Sequence, residues 1–384
     1  MPDDFNRLLT VGSVPPPSSA LEAVHIDLGP DHPTRPGLVT IPVLVEEGSL
    51  TRAKVEIGYL HRGPEKLFEA RDYRQLIMLA SRHDWQAPFV GELGAALVVE
   101  RAMGLVCPPR VTWIRTLLLE FSRISSHLAF LSWLPYAADD TGTSHALHAS
   151  LASSHILWEK LTGNRVHPMV TRIGGISVDV DSGWSDLLLE WLGEAAVLGE
   201  SLQQILNSPE MRRRTRGIAA LGPDDVDAFG LSGPVARAAG VPLDERHQPG
   251  HLAHDDLSPA PVDAPTDGDT FSRFSWLIAE IAQSADLCRQ VLGILPGVEG
   301  PLDTHLPTVV RAPRGTTWSS LEAPWGTAGY LLVSNGGPTP GRLALRTPTF
   351  ADVAALEHAL PGTRLDDVPA AIASLGWTLG DLDK

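Results

Sequence analysis

Cysteine is nearly absent, with Cys107 and Cys288 the only two in 384 residues. No disulfide framework, zinc ribbon or cysteine-ligated cluster can be built from them within the chain, which fits a reducing compartment. Long apolar runs are missing as well. The most hydrophobic stretch, Trp276 to Leu295, contains Glu280, Asp286 and Arg289. Nothing therefore approaches the roughly 20 apolar residues of a bilayer span. The first residues are acidic and lack the basic and apolar regions of a signal peptide. Positive charge is also scarce, since 30 Lys and Arg stand against 46 Asp and Glu, a net charge of −16. That balance argues against nucleic acid as the main partner and disfavours direct adhesion to anionic lipid. No phosphate-binding glycine loop, nucleophile elbow or zinc-protease helix motif is present.

What is present is ample core material, with 43% hydrophobic residues. Residues 1–22 read as a flexible polar tail with Pro15-Pro16-Pro17 as a spacer. Residues 23–64 carry short β-rich runs, with Glu47-Gly48 as a hairpin turn, and predict a small antiparallel β-sheet. Helical spacing dominates residues 65–220 and implies a long-helix bundle. Its clearest stripe is Ile114, Leu117, Leu118, Phe121, Ile124, Leu128 and Leu131, with Glu120, Arg123 and His127 on another face. Residues 221–268 hold most of a Pro-rich acidic stretch that supplies half of the net charge, and they read as a surface excursion. A bundle helix at 269–296 and a C-terminal β/α segment at 297–384 complete an α+β chain.

Several residues could carry chemistry. His32, between prolines in Gly29-Pro30-Asp31-His32-Pro33, is a rigidly presented imidazole or a solvated turn. The charged segment Ile57 to Lys66 joins the β layer to the first helix, as a cofactor-facing backbone or a plain helix start. His145, His148 and His155 lie near one helical face, too far apart along it for one metal. His247, His251 and His254 beside Asp255 and Asp256 have better ligand chemistry, but their setting favours a solvated loop. A soluble metal hydrolase is the reading they would support.

Taken together, these segments resemble the 49 kDa (D-type) subunit of the proton-pumping NADH-quinone oxidoreductases (respiratory complex I). That family shares ancestry with the large subunit of nickel-iron hydrogenases. The residues that carry the resemblance are Gly29 to Pro33, Ile57 to Lys66, Glu120 to Leu128 and Gly163-Asn164-Arg165-Val166-His167-Pro168. Further on they are Arg172 to Gly175, Arg214 to Ile218, Glu322-Ala323-Pro324, Arg346 to Phe350 and Gly380-Asp381-Leu382-Asp383-Lys384. The match runs in order over about residues 24–384.

The resemblance implies a hydrogenase-like fold without the metal site. The two segments where hydrogenases carry cysteine pairs read Asp84-Trp85-Gln86-Ala87 and Thr378-Leu379-Gly380-Asp381, and without thiolates there is no soft-ligand site. It also implies no cofactor bound by this chain, with quinone as substrate and an iron–sulfur cluster in a partner. The expected partners are the small (B-like) iron–sulfur protein of such complexes, their C-like protein and a quinone-channel membrane subunit, on the cytoplasmic side of the cell membrane. Arg62 and His167 match the family's cluster-facing positions. On the quinone side this sequence departs from the family. Pro36 stands where a histidine ligates the quinone head, Trp85 where a tyrosine contacts it, and Ala137, with Asp139 near, where an aspartate is expected. His32, His83 and Asp84 are the candidates to supply protons instead. The alternative is a structural or coupling role in such a complex, with the quinone chemistry lost.

Overall fold

The computed structural model describes residues 5–12, 21–30, 32–34, 38–248 and 252–384. Pro36 and His251 lie outside the described residues. The first layer is a sheet of strands β1 (Arg7–Val11), β2 (Glu22–Ile26), β3 (Val39–Glu46) and β4 (Ser49–Ala53), in the order β2-β1-β3-β4. Glu47 and Gly48, with φ of 49° and 81°, make the two-residue turn between β3 and β4, the geometry that matches strand twist in a hairpin.

Two expectations for this layer are corrected. Residues 7–11 belong to a strand and not to a flexible tail. Leu8, Leu9 and Val11 are apolar and buried, and β1 pairs antiparallel with β3. The polar, Pro-rich character of the first 22 residues begins only after Gly12. The sheet is also mixed, because β1 and β2 run parallel.

Short helices α1 (Pro64–Glu69) and α2 (Tyr73–Ala80) lead into the bundle proper. Its members are α3 (Pro88–Met103), α4 (Pro109–Phe130), α5 (Trp133–Ala137), α6 (Thr141–Thr162) and α7 (Ser182–Leu206). Between α6 and α7 a two-residue ribbon, β5 (Thr171–Arg172) with β6 (Gly175–Ile176), turns the chain. Then come α8 (Pro209–Thr215), α9 (Pro223–Phe229), α10 (Gly233–Ala238) and α11 (Thr270–Ile294), which packs against α4 and α7. The starts of α6, α7 and α11 are fixed by Asp140, Asp181 and Asp269. Their carboxylates accept from the backbone N–H of Thr143, Trp184 and Ser272 at 2.9, 2.7 and 2.8 Å, contacts of about 1 kcal/mol each.

Strands β7 (Gly315–Ala323), β8 (Gly326–Ser334) and β9 (Arg342–Arg346) form an antiparallel sheet whose inner face covers α3. Helix α12 (Pro348–Ala354) follows. No helix among the described residues is long and apolar enough to cross a membrane.

The acidic excursion is corrected too. Its Arg237, Arg246 and His254 are buried in the bundle core. Composition suggested solvation because the charges are dense in sequence, but their partners are buried carboxylates on α4, α11 and β7.

Candidate functional site

The segments Asp84 to Ala87 and Thr378 to Asp381 meet in space. The Thr378 hydroxyl donates to Asp84 Oδ1 at 3.2 Å, and the backbone N–H groups of Gln86 and Ala87 donate to the same oxygen at 2.9 and 3.3 Å. His83 Nδ1 lies 3.0 Å from Asp381 Oδ1, out of line for a hydrogen bond. Asp381 Oδ2 accepts from the Thr349 hydroxyl at 2.6 Å. His83, Asp84 and Asp381 are all nearly sealed from solvent. Burial, reinforced by the Asp381 charge, pushes the Asp84 carboxyl up to about 6, against the pull of His83 and the two amides. A carboxyl poised there can hold or give up a proton near neutrality.

Trp85 covers this cluster. Its ring lies on Gly380, where an added Cβ would stand 2.7 Å from the indole and 1.9 Å from the His83 carbonyl oxygen. Gly380→Ala is therefore expected to cost about 2 kcal/mol through overpacking, seen as a lower midpoint in urea unfolding with an unchanged slope. Trp85 also lines a cavity of about 490 Å³ with Ser122, Ser125, Ala129, His148 and His155.

A cationic edge adjoins the cluster. Arg62 is exposed, and its Nη2 donates to the Arg82 carbonyl at 3.2 Å. Arg82 Nη1 reaches Met169 Sδ at 3.2 Å, two residues beyond His167. Burial lowers the His167 imidazole from its ordinary value and the Arg82 charge lowers it further, partly offset by a hydrogen bond with the Ser81 backbone. The loop before Arg62 is held by the far end of the sequence. Asp383 accepts from the N–H of Gly58 and of Leu60 at 2.7 Å each, and His61 Nδ1 lies 2.6 Å from the Lys384 carbonyl oxygen.

His32 stands apart from this group. The Thr34 N–H donates to its Nδ1 at 3.3 Å, and the Thr34 hydroxyl lies 2.7 Å from the same atom. A backbone amide can only donate, so Nδ1 accepts and the ring proton resides on Nε2. Nε2 has no partner among the described residues. Burial lowers His32 to about 3, so it is a neutral imidazole with an available N–H. Its ring meets Phe130 edge-on at 5.0 Å, at the C-terminal end of α4. Gly29 packs on Tyr136, whose hydroxyl donates to Asp27 at 2.8 Å, which ties this turn to α5. Ala137 closes α5 half-buried, and Asp139 follows it in an exposed left-handed turn with φ of 54°.

Beneath these residues runs a buried charge network that residue spacing did not reveal. Glu120 on α4 pairs with Arg123 at 3.0 Å, meets His254 Nε2 at 3.0 Å and accepts from the Ser284 hydroxyl at 2.7 Å. Glu280 on α11 meets His127 Nε2 at 3.0 Å and accepts from Arg237 at 2.6 and 2.9 Å. Arg237 also donates to Glu322 on β7 at 2.9 Å. Arg246 is gripped by Asp244 at 2.7 Å and stands 3.5 Å from Glu120. Burial pushes Glu120 up, but Arg123, Arg246 and His254 outweigh it and hold the carboxyl well below its usual range. His254 is thus committed to Glu120, and His247 is exposed at the surface. Among the described residues no three His, Cys, Asp or Glu side chains converge as a metal site. Sequence reasoning also passed over Arg82, although it is next to His83. Its contact with Met169 and the pull of its charge on His167 are what signal a role.

Comparison with known proteins gives a consistent outcome. Residues 152–310 and 305–384 match the family described as the respiratory-chain NADH dehydrogenase 49 kDa subunit. The D 2 subunit of the NADH-quinone oxidoreductase of Salinispora arenicola is 39% identical, covering 98% of each chain. The D 1 subunit from Streptomyces coelicolor is 40% identical over 94% of each. The D subunit from Carboxydothermus hydrogenoformans is 33% identical, over 94% of this chain and 99% of its own. With near-complete coverage at 39–40% identity, the chain belongs to the 49 kDa (D-type) subunit family of NADH-quinone oxidoreductases.

Proposed function

We propose that this chain forms one wall of the quinone-reduction cavity in a proton-pumping complex, beside the terminal iron–sulfur cluster of a B-like partner. In this reading it sits peripherally on the cytoplasmic side of the cell membrane. A C-like protein and a quinone-channel membrane subunit complete its surroundings, and NADH binds elsewhere. The observation that carries the proposal is the buried His83, Asp84 and Asp381 assembly behind Trp85, with Arg62, Arg82 and His167 on its flank.

Each part has a chemical task. Reducing a quinone to its quinol takes two electrons, supplied by the partner's cluster, and two protons. Asp84, pushed up to about 6, holds a proton close to Trp85, with the His83 imidazole beside it. The Trp85 indole can donate one hydrogen bond to a quinone carbonyl but cannot give up its proton, so the proton has to come from its neighbours. His32 Nε2–H is a second buried donor. Arg62 and Arg82 place positive charge at the edge, with the His167 imidazole beside them, and cations beside a cluster favour its reduced form.

Trp85→Ala and His32→Ala in the assembled complex test the assignment. Each is expected to reduce NADH-driven quinone reduction about tenfold, as losing one hydrogen bond worth roughly 1.4 kcal/mol would. NADH oxidation by an artificial acceptor that takes electrons upstream should not change. Quinone reduction insensitive to both substitutions would sink the site and favour a purely structural or coupling role.

A further inference from the structure

Glu92, on α3 one turn past its start, is fully buried. Its Oε1 accepts from the Met169 N–H at 2.5 Å, and its Oε2 from the N–H groups of Val170 and Thr171 at 3.0 and 3.1 Å. Three consecutive amides converge on one carboxylate; burial pushes it above its ordinary value, and these dipoles rather than a cation offset part of that. The first residue of this grip, Met169, has φ of 55°. A long side chain rarely takes that left-handed conformation and keeps it only when its surroundings enforce it.

The held turn leads directly to the cationic edge. Met169 Sδ receives Arg82 Nη1 at 3.2 Å and the Ser81 hydroxyl at 3.4 Å. His167, two residues earlier in the same turn, bonds the Ser81 backbone and feels the Arg82 charge. Farther along α3, about 12 Å by helix rise, Glu100 accepts from the Gly174 N–H at 2.6 Å and pairs with Arg115 at 2.7 Å. The segment from Met169 to Gly174 is thus pinned to α3 at both ends.

We infer that Glu92 is a positioning residue. By fixing the backbone at Met169 it sets where Arg82 and His167 stand, and through them it tunes the reduction potential of the partner's iron–sulfur cluster. This rests on the cluster-facing role proposed above for that edge. In Glu92→Gln the amide nitrogen faces backbone donors that it cannot accept from, so the turn relaxes. In Glu92→Asp the charge is kept, but the carboxylate falls one methylene short.

The test is a redox titration of the terminal cluster in the assembled complex, followed by its paramagnetic resonance signal. Glu92→Gln is expected to make cluster reduction about tenfold less favourable, which is ~59 mV for one electron, as the Arg82 cation retracts and His167 moves with it. Glu92→Asp should shift it in the same direction, and it serves where the glutamine variant does not assemble. A rise with Glu92→Gln and no change with Glu92→Asp would mean that the charge acts and the position does not, which overturns the inference. So would unchanged potentials in both. Arg82→Ala and His167→Ala are the controls. If neither moves the potential, the cluster-facing reading itself has failed. If they move it and the Glu92 variants do not, only the positioning role is lost.

Discussion

Arg237→Ala is expected to destabilise the fold by about 3–5 kcal/mol, the usual cost of leaving buried charges without their partner. Whole domains are stable by only about 5–15 kcal/mol, so little folded protein should accumulate. The guanidinium bridges Glu280 on α11 and Glu322 on β7, at 2.6 and 2.9 Å, and also caps the Leu243 carbonyl at 2.7 Å. Without it, among the described residues Glu322 keeps one hydrogen bond, from the Glu245 N–H at 3.1 Å, and Glu280 keeps one, with His127 at 3.0 Å. Burial already pushes Glu322 above its ordinary range, and losing the cation would push it further. Thermal unfolding of the chain produced with its partners provides the measurement. Arg213→Ala is the contrast, since its pair with Glu210 is solvent-exposed and surface pairs contribute little. Equal melting of Arg237→Ala and the parent protein would mean that the network does not hold the core.

The second large effect is expected at Asp84. Asp84→Asn keeps the shape and removes the exchangeable proton, so quinone reduction in the assembled complex should fall by about 10²–10⁴-fold, the usual worth of a positioned acid or base. Electron entry upstream should be unchanged. The carboxyl sits at about 6, so its acid form predominates below that pH and declines about tenfold per unit above it. A quinone-reduction rate limited by this proton should fall on the alkaline side of about pH 6 in the parent protein and lose that limb in Asp84→Asn. Folding stability follows the same sign. The native state binds the proton more tightly than the unfolded chain, whose carboxyl has the ordinary value of 3.8. The contribution is therefore fully present below about pH 4 and is lost as pH rises through about 6. An identical pH profile in parent and variant would remove Asp84 from the proton route.

The regular parts of this fold were legible because their signals are local. The stripe from Ile114 to Leu128 lies in α4, whose core-facing side is buried, and Glu47-Gly48 turns the hairpin. What escaped depends on residues far apart. Thr378 and Asp84 are 294 residues apart, and only the family resemblance placed both segments at one site. Arg237 and Arg246 sit among prolines and aspartates, so composition suggested water, while their partners wait on helices formed elsewhere. Leu8 and Leu9 were overshadowed by the polar run after them. Arg82 needed a contact with a methionine sulfur, which no periodicity announces. His32 was legible as a rigid imidazole, but its neutral state and available Nε2–H follow from burial and from Thr34.

The hold of Asp383 on the Gly58 N–H spans 325 residues. Ribosomes add about 5–20 residues per second, so the segment ahead of Arg62 emerges about 15–65 seconds before its anchor exists. During synthesis, then, the sheet and the early helices can settle while the cationic edge stays unfinished. Any partner that recognised this edge would find it complete only once Asp383 had been made, so the lateness of the anchor in the sequence sets when that surface is finished.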